Sequence, residues 1–98
     1  MRIRLSDAQV SALECRGLEE PQDALEALLA RSWQGDAILV FDPEEAEDLA
    51  EALCDASNAE DAYAELACEP LDLRGFARRA SRSLAALMMR VARAAPRG

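Results

Sequence analysis

The sequence predicts a single, mostly helical α+β domain, with two short strands and about five helices in the order β-α-α-β-α-α-α. Three observations lead there. Two β-type runs, "RIRL" and "AILVF", each lead directly into a helix-capping residue. Apolar residues elsewhere recur at helical spacing, and proline or glycine punctuates the chain between periodic stretches. Ninety-eight residues suffice for one domain, residues 1–98, with one modest core.

The first strand is expected over residues 2–5. Ser6 follows as an N-cap and Gln9 stands three residues later, the spacing of a capping box, in which each residue satisfies the other's backbone N–H. Pro21 is expected to open the second helix, with Leu25, Leu28 and Leu29 as its apolar stripe and Gly35 as its stop. The second strand is expected over residues 37–41. Asp42 then caps a third helix, with Pro43 in the first helical position and Glu45 three residues after the cap. In that helix Ala46, Leu49, Ala50 and Leu53 share one face, while Glu44, Glu47, Asp48, Glu51 and Asp55 share the other. Asn58 is expected to cap a fourth helix carrying Ala59, Ala62, Tyr63 and Leu66, and Pro70 to break the chain before the last.

Charge divides the chain sharply. All nineteen acidic residues lie at or before Asp72 together with four arginines, so residues 1–72 form an acidic body of charge −15. The remaining seven arginines give residues 73–98 a charge of +7, and the total is −8. The last helix, expected over residues 73–95, is two-sided. Leu73, Phe76, Ala77, Ala80, Leu84, Leu87, Met88 and Val91 fall in a sector of about 120° at 100° per residue. Arg74, Arg78, Arg79, Arg82, Arg90 and Arg93 lie opposite, with Met89 among them. The stripe is expected to complete the core. The arginines have three readings: balancing acidic helices of the same body, docking an acidic partner, or holding an anion such as nucleic acid or a nucleotide.

Several chemistries find no support. There is no histidine to activate a cysteine or serine nucleophile, and no glycine-rich phosphate loop, the four glycines standing singly. Cys15, Cys54 and Cys68 are an odd number at spacings that suit neither a disulfide framework nor a zinc site, and are expected to be reduced packing residues. No metal, cofactor or catalytic residue is therefore expected. No run of eighteen apolar residues and no secretory leader is visible, which predicts a soluble, cytoplasmic protein. An alanine-rich stripe around one phenylalanine is a poor membrane anchor, so no membrane partner is expected.

Two single residues have competing readings. Trp33 suits packing better than an interface anchor, and helix capping accounts for Asn58 and Asp61 without a ligand. The functional expectation is a non-enzymatic protein-interaction module, an adaptor or inhibitor, that offers Glu44, Glu47, Asp48, Glu51 and Asp55 to a basic partner in the manner of a nucleic acid. The alternatives are an anion-binding module using the arginine face, and a structural subunit of a larger assembly. Two isolated strands are marginal in water, so a homodimer that joins two pairs into a four-stranded sheet is expected as well.

Overall fold

Both predicted strand-to-helix junctions form. The computed structural model describes residues 1–16, 18–66 and 71–96, excepting the side chains of 71–74. Strand β1 (Arg2–Arg4) leads into helix α1 (Asp7–Arg16); α2 (Ala24–Ser32) is followed by β2 (Ile38–Val40), a 3₁₀ turn (Pro43–Glu45), α3 (Ala46–Leu66) and α4 (Leu71–Ala92). The architecture is the mostly helical α+β class expected. Among the described residues no helix is long and apolar enough to cross a membrane.

The strands pair antiparallel, with Arg2 opposite Val40, Ile3 opposite Leu39 and Arg4 opposite Ile38. Alternation then turns Ile3 and Leu39 toward the core and Arg2, Arg4, Ile38 and Val40 away from it. At the first junction Ser6 N–H donates to Gln9 Oε1 at 3.0 Å and Gln9 N–H donates to Ser6 Oγ at 3.2 Å, so the expected capping box is complete. At the second, Glu45 N–H donates to the Asp42 carbonyl at 2.8 Å and Asp42 N–H donates to Glu45 Oε1 at 3.3 Å.

The strands are shorter than the expected 2–5 and 37–41, the last helix runs Leu71–Ala92 where 73–95 was expected, and two helix predictions differ further. Helix α2 starts at Ala24, not at Pro21, because Asp23 Oδ1 accepts the Glu26 N–H at 2.8 Å and so supplies the cap. The two helices expected on either side of Asn58 are one 21-residue helix, α3, so the described residues hold four α-helices, not about five. No proline or glycine interrupts this stretch, and Ser57, one residue earlier, is buried against α4. Its hydroxyl donates to the Ser81 carbonyl at 3.0 Å, with the Ser81 hydroxyl also 3.0 Å away. Packing on both sides of the site thus outweighs the local capping preference of Asn58, whose amide turns to Cys54 Sγ at 3.8 Å.

Helices α3 and α4 form the largest contact in the fold; α1 closes against α4 and α2 against α3. Leu13, Leu29, Leu39, Leu49, Leu53, Leu84, Leu87 and Val91 are fully buried at their junction. Alanines at 46, 52, 56, 77 and 80 fill the gaps between them, and their small side chains permit close helix approach. Most of the expected α4 stripe is therefore in the core. Leu73 lies outside the described side chains. Phe76 is a correction, because it is 38% exposed. It stands at the margin of the stripe, beside the last residues of α1, where it lines an open groove with Cys15 and Tyr63.

Gly35 has φ +81° in the turn between α2 and β2, a conformation that a side chain disfavours. Beyond the helix, Trp33 pairs by its backbone with Leu39, and its indole N–H donates to the Asp36 carbonyl at 2.7 Å. Trp33 packs against the core and fastens this turn, the structural role expected of it. Leu84→Ala is expected to destabilise the protein by about 2–5 kcal/mol in urea denaturation, and Phe76→Ala by clearly less, because only the first opens a sealed cavity.

Candidate functional site

Three charged surfaces stand outside this core. The first is the outer face of α3. Glu44 in the 3₁₀ turn and Glu47, Asp48, Glu51 and Asp55 in the helix are all exposed, as the sequence places them. Glu47, Glu51 and Asp55 follow one another at i, i+4 and i+8, which sets them about 6 Å apart along the axis. Each like-charged neighbour pair opposes the helix by about 0.2–0.5 kcal/mol. The helix N-terminus offsets this for Glu44, Glu47 and Asp48 but not for Glu51 and Asp55, which lie beyond its first turn. The row continues through exposed Asp61 and Glu65. Asn58 is exposed within the helix, so its expected capping role is absent; Asp61 likewise lies mid-helix, beyond a helix start.

The second surface is the outer face of α4. Arg78, Arg79, Arg82, Arg90 and Arg93 are exposed; the side chain of Arg74 lies outside the described residues. Among the described residues one ion pair forms, between Arg31 and Glu45. None of these five arginines is thus in contact with a described carboxylate. Arg90 instead donates from Nη1 to Gln9 Oε1 at 3.3 Å. Buried Gln9 therefore accepts from both the Ser6 N–H and Arg90, and ties the cap of α1 to the far end of α4.

The third surface, which sequence reasoning missed, is the outer face of the sheet. Arg2, Ile38, Val40, Arg31, Asp42 and Glu45 line an open groove of about 500 Å³ there. Its signal in the sequence was the alternation of Arg2, Ile3 and Arg4. Within the groove, the hydrogen bond from Arg31 and then that from the Asp42 backbone hold the Glu45 carboxyl below its ordinary pKa.

The cysteines are less buried than expected: Cys15 is exposed, Cys54 is half-buried, and Cys68 lies outside the described residues. Among the described residues no three of His, Cys, Asp and Glu gather in a metal-binding group. Arg16 Nε is buried without a hydrogen-bond partner among the described atoms, next to a small cleft that Asp23, Glu26 and Asp55 also line. Comparison with protein-family models, curated proteins and solved structures finds no match to this chain.

Glu51→Gln removes repulsion with three like-charged neighbours, Glu47, Asp48 and Asp55, and is expected to raise stability by about 0.6–1.5 kcal/mol in chemical denaturation at low salt. Glu45 has a folded-state pKa below its unfolded one, so its contribution is present at neutral pH and is lost as pH falls through the folded value. Melting temperatures of the wild type and Glu45→Gln, followed from neutral to acid pH, should accordingly converge as the carboxyl protonates.

Proposed function

We propose that the chain is a non-enzymatic protein-interaction module, an adaptor or inhibitor, that holds a basic partner on the outer face of α3. The supporting observation is that Glu44, Glu47, Asp48, Glu51 and Asp55 share one exposed face, at a cost in mutual repulsion and with no described cation paired to them. From Glu44 to Asp55 the axis runs about 16 Å, or one charge per about 3 Å. One strand of duplex DNA carries a phosphate per about 3.4 Å of axis, so a surface built to track phosphates meets a similar charge density here. Neutralising such a row removes the repulsion and adds forked arginine–carboxylate contacts.

A second reading has a specific observation behind it. Arg78, Arg79, Arg82 and Arg93 are exposed and unpaired with any described carboxylate, an arrangement suited to phosphate oxygens. The body at −15 opposes it at long range.

The two readings separate in one experiment. Tagged wild type and a variant with Glu44, Glu47, Asp48 and Glu51 changed to Arg are used to capture partners from the native host, with circular dichroism confirming that both are folded. The first reading expects basic proteins on the wild type alone, eluting with salt; the same capture by both proteins removes the α3 face from the account. The second expects labelled single-stranded DNA to bind at about 50 mM salt and to be lost when Arg78, Arg79, Arg82 and Arg93 become Gln.

A further inference from the structure

We propose that the free edge of β1 takes up an extended acidic segment of a partner protein as a third strand of the sheet. Backbone alternation fixes which groups are available. Met1 and Phe41 exchange hydrogen bonds in both directions, at 2.8 and 3.0 Å, and the Leu5 N–H donates to the Ala37 carbonyl at 2.8 Å. In an antiparallel ladder the bonded residues alternate, so Ile3 faces β2 between them while the N–H and C=O groups of Arg2 and Arg4 point away from it. Among the described residues the sheet has two strands only, and this edge has no neighbour in it. The far edge is different, because Trp33 already bridges Leu39 there.

The side chains state which strand fits. Arg2 and Arg4 are both exposed on the outer face of the sheet, next to Val40 and Ile38. Short length and charge are the usual means by which an edge strand refuses a neighbour, and here the charge is of one sign, so it refuses selectively. A second copy of this chain pairing antiparallel about Ile3 would set Arg2 against Arg4 twice over. That disfavours the four-stranded homodimer expected from the sequence, since like charges directly opposed across strands destabilise the pair. A strand with Asp or Glu at alternate positions meets both arginines instead, and an apolar residue between those acids continues the inward row of Ile3 and Leu39. Main-chain bonds to Arg2 and Arg4 supply the attachment, and the two guanidinium groups supply the selectivity. The β1 edge uses none of the residues of the α3 face, so either can fail alone.

The probe is a blocked peptide of sequence Glu-Val-Glu-Val-Glu, titrated into the isotope-labelled full chain, with Lys-Val-Lys-Val-Lys as its counterpart. The expected result is chemical-shift change centred on β1, exchange of the Arg2 and Arg4 amides slowed by about tenfold at saturation, and binding of the lysine peptide weaker by about tenfold or more. Changing both Arg2 and Arg4 to Glu should reverse the preference. Arg4→Pro, which deletes an outward N–H and leaves the bonds to β2 intact, should weaken the glutamate peptide more than Arg4→Gln does. Shifts absent from β1 at millimolar peptide would overturn the proposal, as would equal binding of the two peptides. So would a free protein that sediments as a dimer with those amides already protected.

Discussion

The packing of α4 on α3 is the constraint from which the rest of the structure follows. Five of the eight largest sealed side chains, Leu49, Leu53, Leu84, Leu87 and Val91, come from these two helices. The alanines between them bring the helix axes close, and a buried serine pair, Ser57 with Ser81, satisfies the polar groups at the seam. A sheet of two three-residue strands is too small to stand by itself. It persists because Ile3, Leu39 and the neighbouring Leu5 and Phe41 rest against what the helical pair builds.

The same pair explains the separation of charge. Once the apolar stripes of α3 and α4 face inward, the acids of one helix and the arginines of the other have nowhere to go but outward. Attraction between the two halves then acts over distance, through the opposite signs of an acidic body and a basic helix, and contact pairing is slight. Surface ion pairs contribute little to stability in any case, typically about 1 kcal/mol or less. The charged faces are therefore costly to the fold in repulsion and nearly neutral to it in pairing.

Much of this was legible in the sequence, and the reasons differ by element. The Ser6–Gln9 and Asp42–Glu45 junctions were readable because a cap is a local interaction, complete within four residues. The α4 stripe was readable because its period is helical and its opposite face is charged. Asn58 misled because a good cap residue is only a local preference, and the burial of Ser57 against a residue 24 positions away decided the matter. Pro21 misled for the same kind of reason, as Asp23 held the better hydrogen bond. Gln9 meeting Arg90 across 81 residues, and the orientation of Arg2 and Arg4 at an unpaired edge, required the fold itself. The five acids of the α3 face and the arginines at 78, 79, 82, 90 and 93 are exposed, as helical periodicity predicts, but their want of contact pairs within the described chain was visible only in three dimensions.

The central claim is that α4 seals the core and that no smaller part of the chain folds without it. A chain ending after residue 70, compared with the full chain by thermal denaturation followed through circular dichroism, addresses this directly. The account predicts that the shortened protein shows no cooperative transition. A shortened chain that melts at the same temperature as the intact one would contradict it.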